Sequence, residues 1–159
     1  MTIFLVLRDV VSDDLPVFFQ QQLDPDANYM AAFTAKDPTD QAAFTVHWRR
    51  ILSDPTVRIK TIVVGNQIAG SVSSYEEGGV SEVTYWLGKD YWGKGIATQA
   101  LTEFLANVQT IRPIRARVAK DNIASLRVLE KCGFKIVGED KGFAHARNAE
   151  TEEYLLNLE

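Results

Sequence analysis

The segment whose residue types point most directly to chemistry is a glycine-rich turn at residues 88–98. The pattern predicts the end of a strand, a tight turn and the start of a helix. Glycines let the backbone approach a ligand closely, and the free N–H groups and dipole of a helix N-terminus favour an anion. The turn therefore predicts a phosphate site, with an ordinary strand-to-helix turn as the alternative. Its residues are Gly88-Lys89-Asp90-Tyr91-Trp92-Gly93-Lys94-Gly95-Ile96-Ala97-Thr98.

Two nucleotide-binding motifs match this turn only in part. The spacing from Gly88 to Lys94 fits a Walker A loop, but Gly95 stands where a Ser or Thr must bind magnesium. The dinucleotide fingerprint has Thr98 in place of its last glycine, and Arg115 stands near the position where a carboxylate would bind the ribose. Neither a nucleotide hydrolase nor a dinucleotide-binding fold is therefore predicted.

Apolar patterning predicts the strands and helices that position the turn. Runs of β-branched and aromatic residues indicate strands, and apolar residues at helical spacing indicate helices. Ser12 or Asp13 is expected to cap the first helix. Residues 24–40 show no clear period and are predicted to be a loop with apolar anchors. The predicted strands are residues 4–7, 59–64, 68–75, 80–87, 114–119, 134–137 and 153–158, and the predicted helices are residues 14–22, 40–54, 96–108 and 122–132.

The order of these elements predicts the fold class. The three strands between residues 59 and 87 are joined by tight turns and must be antiparallel, whereas a strand–helix–strand order gives a right-handed crossover to a parallel neighbour. The sequence therefore predicts an α/β (α+β) fold with a mixed, mostly antiparallel seven-stranded sheet and helices on both faces. Ligands of such sheets bind where a strand leads into a helix, which points to residues 87–97.

Composition limits the classes of protein that fit. A length of 159 residues, 46% of them hydrophobic, predicts one domain over residues 1–159, and the net charge of −4 argues against nucleic-acid binding. The single cysteine, Cys132, leaves no disulfide within the chain, so the cytoplasm is the predicted compartment. The apolar run before Arg8 is too short for a signal peptide or a membrane span. His47 and His145 lack metal-ligand spacing, so no metal site is predicted.

Two flanking motifs make the turn more specific. Tyr85-Trp86-Leu87 comes just before it, and Asn122-Ile123-Ala124-Ser125-Leu126-Arg127-Val128-Leu129-Glu130-Lys131-Cys132-Gly133-Phe134 follows it. Together with the turn, these motifs resemble those of the GNAT superfamily of N-acetyltransferases, most of all its RimJ/RimL-like branch. The turn itself resembles the Q/R-x-x-G-x-G/A acyl-CoA loop of that superfamily, except that Trp92 stands at the Q/R place.

The resemblance implies an acyl-CoA N-acyltransferase fold with acetyl-CoA as co-substrate. It implies that the pyrophosphate lies on the N–H groups of residues 93–98 and that the pantetheine arm runs along the strand that ends at Leu87. Asn122 would bind the pantetheine and Ser125 would reach toward the sulfur, although a helix N-cap and a solvated helix residue are the alternatives. The implied cofactor-binding residues are Trp86, Leu87, Trp92, Gly93, Lys94, Gly95, Ile96, Ala97, Thr98, Asn122 and Ser125.

Acetyl transfer to an amine needs a base, because most amines are protonated at pH 7. Glu82 is the candidate base, and an exposed carboxylate or a structural ion pair is the alternative. Ser125 is the candidate general acid, since Leu129 occupies the place where many members of the family have a tyrosine. Cys132 falls on the apolar side of its helix, so direct attack in a ternary complex is favoured over an acyl-cysteine intermediate.

The resemblance implies that the acceptor meets Tyr85 and the irregular segment between the first helices, because this segment usually covers the substrate in the family. The candidate residues of the segment are Tyr29, Met30 and Phe33, which could instead only anchor it. The predicted function is acetyl transfer to a small amine or a protein N-terminus. The alternative is a catalytically idle acyl-CoA-binding or regulatory domain, and the last strands could pair in a homodimer.

Overall fold

Seven strands and five helices make up the part of the chain that the structure, a computed structural model, describes: residues 4–159. Residues 1–3, the beginning of the N-terminal run interpreted above, lie outside the described residues. The strands are β1 (Leu5–Arg8), β2 (Arg58–Val64), β3 (Gln67–Glu77), β4 (Val80–Leu87), β5 (Ile114–Ala119), β6 (Lys135–Ala144) and β7 (Ala149–Leu158). The helices are α1 (Leu15–Gln22), α2 (Pro25–Ala31), α3 (Gln41–Ser53), α4 (Ile96–Asn107) and α5 (Ile123–Lys131).

The strands form one sheet in the order β1-β2-β3-β4-β5-β7-β6. Within the described residues β4 and β5 are the single parallel pair, and the other neighbours are antiparallel, which confirms the predicted mixed, mostly antiparallel seven-stranded sheet. The parallel ladder is short, because it joins only Ser81 with Ile114 and Glu82 with Arg115. Beyond these pairs the two strands part, so among the described residues the segment 83–87 has a sheet neighbour on the β3 side alone.

Helices cover both faces of the sheet. One apolar cluster joins α4 and α5 to the sheet around Ile62 and Phe104, and a second joins α1 and α3 around Phe18 and Trp48. Ile59 packs on the second cluster, and residues three apart in a strand point to opposite faces, so the two clusters lie on opposite sides. No helix among residues 4–159 is long and apolar enough to cross a membrane.

Residues 25–31 form helix α2, so the prediction of a loop over residues 24–40 was wrong there. The Asp24 side chain accepts a hydrogen bond from the Ala27 N–H at 3.0 Å, and Pro25 occupies the first helical position. Asp followed by Pro is a start signal for a helix as well as a breaker of the one before it. The short connection therefore ends α1 and begins α2.

The last two strands are longer than predicted. β6 and β7 form a hairpin that pairs residues 135–144 with residues 149–157, whereas the sequence predicts a polar loop between residues 137 and 153. Lys141 and Glu150, whose charged groups lie 3.5 Å apart, are on facing strands of this hairpin. Cross-strand pairing thus extends a segment that has little apolar alternation of its own.

The junction of β1 and α1 is held by a buried carboxylate. Asp14, which is 1% exposed, accepts two hydrogen bonds from Arg8 at 2.7 and 2.8 Å, one from the Val11 N–H at 3.0 Å and one from the Thr61 hydroxyl at 2.7 Å. Burial raises the pKa of Asp14, but these donors outweigh burial and hold that pKa below its usual value. This carboxylate, rather than a cap at Ser12 or Asp13, orders the helix start.

We expect Asp14→Asn to lower the free energy of unfolding by about 2–3 kcal/mol at neutral pH, because its amide would face the Arg8 donors. The folded pKa of Asp14 lies below the unfolded value of about 3.9, so its contribution is complete above roughly pH 5 and is lost as the pH falls through the folded pKa. Urea unfolding across this range should therefore show the difference between the two proteins shrinking in acid. Exposed Asp13, changed to Asn, is the control, and a difference that stays constant with pH would contradict the assignment.

Candidate functional site

A cleft of about 560 Å³ opens where β4 and β5 part. Its walls come from residues 83–87 of β4, residues 116–119 of β5, the glycine turn, the first turns of α5, and α2. Of the predicted cofactor-binding residues, Lys94 is outside the lining, and the others line the cleft: Trp86, Leu87, Trp92, Gly93, Gly95, Ile96, Ala97, Thr98, Asn122 and Ser125.

The glycine turn leaves open space in front of the N-terminus of α4. Gly93 and Gly95 have φ angles of +73° and +77°, which non-glycine residues rarely adopt, and a Cβ at either position would meet no heavy atom within 4 Å. Gly95 is the N-cap and has no side chain to offer, so within the described chain no side-chain hydrogen bond caps α4. The first N–H groups of the helix therefore face the cleft without an intrahelical partner, as an anion site requires.

Basic side chains surround the same end of the cleft. Lys94 is exposed on the turn, and Arg127 and Lys131 line the cleft from α5. Because residues four apart share one face of a helix, both α5 cations lie on the side that faces the turn. Three cations therefore lie on or beside the cleft although the whole chain carries a net charge of −4.

Trp92 holds the turn closed. Its indole N–H donates to the Leu87 carbonyl oxygen at 3.1 Å, and this contact ties the turn to the end of β4. The indole N–H of Trp92, the residue at the Q/R place of the motif, is thus already hydrogen-bonded within the protein. The backbone cradle of Gly93 and Gly95 is left as the feature that could hold an anion.

Two hydroxyl groups meet on the walls of the cleft. The Tyr85 hydroxyl of β4 lies 2.6 Å from the Ser125 Oγ of α5, within hydrogen-bond distance. Burial raises the pKa of Tyr85 to about 12, so its phenol stays protonated at neutral pH. The sequence placed Tyr85 with the acceptor-binding residues, whereas the structure brings its hydroxyl to the candidate general acid.

Asn122 connects three elements beside these hydroxyl groups. Its Oδ1 accepts from the Ser125 N–H at 3.3 Å, which makes Asn122 the N-cap of α5. Its Nδ2 donates to the Met30 carbonyl oxygen of α2 at 3.2 Å. The helix-cap alternative is therefore realised, and one N–H of the amide is left for a ligand.

Helix α2 covers one side of the cleft and is tied down at its C-terminal end. Arg147, from the β6–β7 turn, donates to the Tyr29 carbonyl oxygen at 2.8 Å, and its guanidinium carbon lies 4.5 Å from the centroid of the Tyr29 ring. The same guanidinium makes two hydrogen bonds to Asp121, at 2.7 and 2.8 Å. Ala27 and Met30 of α2 then line the cleft.

Two of the three predicted acceptor residues of this segment, Tyr29 and Phe33, lie outside the cleft lining. Tyr29 is 50% exposed and packs on Arg147, and Phe33 is 42% exposed and lies against the strand at Gly142. These contacts fit the anchoring alternative for both residues. Met30, the third predicted residue, lines the cleft.

Glu82, the candidate base, is the centre of an ion-pair network. Its carboxylate is 5% exposed and accepts hydrogen bonds from Arg115 Nε at 2.7 Å, from Arg117 Nε at 3.2 Å and from the Tyr75 hydroxyl. Arg117 also pairs with Glu153 at 2.9 Å. Three donors occupy three of about four lone-pair positions of the Glu82 carboxylate, so the geometry favours the ion-pair alternative over the base.

Leu129 lies on the packed side of α5, as predicted, whereas Cys132 follows the helix as its C-cap and packs on the main apolar cluster. Leu129 is 2% exposed and contributes only hydrocarbon to the cleft wall. Cys132 is half-buried, 3.6 Å from the Thr102 hydroxyl, and burial raises the pKa of its thiol. Among residues 4–159 no group of three or more His, Cys, Asp or Glu side chains could hold a metal ion.

Gly70 is a site residue that the sequence analysis missed. It lies in a bulge of β3, where a Cβ would come within 1.9 Å of the Trp86 carbonyl oxygen. The backbone of β3 therefore approaches the cleft-lining part of β4 more closely than any side chain allows. A glycine inside a predicted strand signals such a bulge or close approach.

Comparison with known proteins agrees with this geometry. Residues 5–135 match the family model described as an acetyltransferase (GNAT) domain. The chain is 25% identical over 163 residues to the "Uncharacterized N-acetyltransferase p20" of Bacillus licheniformis, a match that covers 97% of this chain and 92% of the relative.

Two solved structures share the fold over 97% of the chain. One is Mycobacterium smegmatis RimJ in complex with a CoA disulfide, with a TM-score of 0.78, 21% identity and 81% of that chain covered. The other is spermidine N-acetyltransferase from Vibrio cholerae in complex with CoA and spermine, with a TM-score of 0.79, 16% identity and 94% of that chain covered. These likenesses confirm the predicted acyl-CoA N-acyltransferase fold.

We expect Gly70→Ala to lower the free energy of unfolding by about 1–3 kcal/mol, because the new methyl group must displace the Trp86 carbonyl. Gly138→Ala is the control: it is also in a strand, and its Cβ would make an ordinary contact of 3.6 Å with Leu155. Thermal unfolding measures both changes. Equal stability of the two variants would show that β3 does not restrain β4 in this way.

Proposed function

We propose, from the premise that the chain belongs to the GNAT acetyltransferase family, that it transfers the acetyl group of acetyl-CoA to a primary amine, either a small amine or a protein N-terminus. Family membership follows from the match over residues 5–135, and it makes the chain an N-acetyltransferase. The observation that carries the proposal is the cleft between β4 and β5, with an open strand edge along its side and an anion cradle at its end.

The cleft fits an extended amide-containing chain that ends in phosphates. Backbone groups along residues 83–87 have no β5 partner, so the amides of a pantetheine arm can bond to them as a neighbouring strand would. Trp86 lines the cleft, and its buried indole N–H has no acceptor among the described residues. A buried donor of this kind gains a partner when a ligand fills the cleft.

The opposite end of the cleft fits the phosphates. The N–H groups at the start of α4 would hold the pyrophosphate, and Lys94, Arg127 and Lys131 would neutralise its charge. Acetyl-CoA supplies the activated acetyl group as a thioester. The protein binds and orients it, and the packed walls around Leu129 exclude water from the reacting end.

We propose direct attack by the amine, without a cysteine intermediate. Cys132 is not among the cleft-lining residues of the described chain, and its raised pKa disfavours the thiolate that would be needed as a nucleophile. The amine nitrogen bonds to the thioester carbon as the C–S bond breaks, and the electron pair of that bond leaves with sulfur. A thiol with a pKa of about 8.5 can leave as an anion, so a hydrogen bond from the Ser125 hydroxyl suffices as assistance.

We assign Glu82 the role of an anchor for Arg115 and Arg117, and we propose that the amine loses its proton to water. The network around Glu82 supports this role, because its carboxylate already has three donors. The second candidate function is a catalytically idle acyl-CoA-binding domain. It is favoured by Leu129, which stands on the α5 wall of the cleft at the place where many members of the family have a tyrosine. Release of free thiol in the presence of a panel of amines separates the two candidates.

We expect Gly95→Glu to weaken acetyl-CoA binding at least about tenfold, because a carboxylate would occupy the space in front of the α4 N-terminus and repel the phosphates. Isothermal titration with acetyl-CoA measures the change. Gly79→Glu is the matched control: Gly79 also has a positive φ, +80°, and open space around its Cβ, but it lies in the β3–β4 turn. Undiminished binding by the Gly95 variant would refute the phosphate cradle.

We expect Glu82→Gln to lower the free energy of unfolding by about 1–3 kcal/mol, because it leaves Arg115 and Arg117 without their shared counter-charge. The acidic limb of the kcat/KM profile for acetyl transfer should keep its midpoint, since Glu82 is not the proton acceptor in this proposal. Loss of that limb with wild-type stability would instead identify Glu82 as the base. Exposed Glu76, changed to Gln, controls for the charge change.

A further inference from the structure

We infer that Tyr85 is a positioning residue for Ser125: its phenol donates to Ser125 Oγ and so directs the serine hydrogen into the cleft. This inference rests on the proposed function, because it names how the donor to the leaving sulfur is oriented. It departs from the sequence-based assignment of Tyr85 to acceptor binding. Leu129 on the α5 wall of the cleft offers no hydroxyl group, whereas Tyr85 and Ser125 place two hydroxyl groups on the cleft walls.

The contact joins two elements that are rigid at this point. Tyr85 lies on β4, where Val72 of β3 faces it, and its ring packs on the main apolar cluster. Ser125 lies in the first turn of α5, where its own N–H is held by the Asn122 cap. A hydrogen bond of 2.6 Å between side chains fixed in this way leaves the serine hydroxyl little freedom to rotate.

The direction of the hydrogen bond follows from the two hydroxyl groups. Among residues 4–159 Ser125 Oγ is the one hydrogen-bond partner of the Tyr85 hydroxyl. A phenol is a stronger donor than an aliphatic alcohol, and a buried phenol O–H needs an acceptor. Tyr85 therefore donates and Ser125 accepts, which leaves the serine hydrogen for a second acceptor.

The second acceptor is the sulfur of the thioester. When the C–S bond breaks, its electron pair stays on sulfur, and the Ser125 O–H donates a hydrogen bond to the developing thiolate. The protons of Ser125 and Tyr85 stay on their oxygens, and the thiolate takes its proton from water after release. A donor that itself accepts a hydrogen bond is polarised and donates more strongly, so Tyr85 acts on the reaction through Ser125 alone.

The test compares four proteins: the wild type, Tyr85→Phe, Ser125→Ala and the double variant. We expect Tyr85→Phe to lower kcat about five- to tenfold, the worth of one hydrogen bond, and to change KM for acetyl-CoA by less than about twofold. The double variant should be no slower than Ser125→Ala, because Tyr85 has no route to the sulfur without Ser125. Tyr154→Phe, on β7 and outside the cleft lining, is the control for loss of a phenol.

Each outcome decides between the inference and its rivals. If the fold-losses in kcat of the two single variants multiply in the double variant, the positioning role is overturned. A raised KM with unchanged kcat in Tyr85→Phe would also overturn it, and would indicate that Tyr85 binds substrate. Free thiol is measured both with amines and with water as the acceptor, and thermal unfolding confirms that each variant is folded. Thiol release to water that Tyr85→Phe slows, without any transfer to amines, would support the inference and refute the proposed function. An absence of thiol release from the wild type would refute both.

Discussion

β4 and β5 run side by side for only two residue pairs, and beyond them no strand among residues 4–159 pairs with the β5 side of the β4 backbone. Buried backbone groups need partners, so this edge is costly to cover with apolar side chains and suited to a ligand that carries amides of its own. Everything else at the site depends on keeping the two strands apart. Gly70 lets β3 approach the Trp86 carbonyl from one side, and α2 with Met30 covers the cleft from another.

Glu82 stands at the last paired position before the strands part, and this placement explains why its carboxylate is fully engaged. Tyr75 faces it on β3, Arg115 faces it on β5, and Arg117 lies two residues further along β5, on the same face and on the cleft wall. The carboxylate therefore joins three strands at the closed end of the cleft. The guanidinium groups of Arg115 and Arg117 balance its charge there.

Features with a local cause could be predicted from the sequence, and features with a distant cause could not. The glycine turn, the start of α4 and the antiparallel strands from β2 to β4 depend on neighbouring residues, and the predictions for them agree with the structure. Helix α2 was missed because Asp24-Pro25 can end one helix or begin another. The hydrogen bond from the Ala27 N–H to the Asp24 side chain shows that it begins α2. The partners of Glu82 and Ser125 depend on strand register and on helix packing, which no local pattern records.

The identity of residue 122 shows how the cleft and the fold share one side chain. Asp would cap α5 as well as Asn does, but an ionised carboxylate has no hydrogen to donate to the Met30 carbonyl. Asn122 does both, so it fixes the backbone N–H of Ser125 and the C-terminal end of α2 at once. The protein's own contacts thus use the Oδ1 and one hydrogen of the Asn122 amide, and a bond to a ligand can use only the second hydrogen. Any loss of acetyl-CoA binding on changing Asn122 therefore combines a lost contact with a displaced Ser125 and a loosened α2.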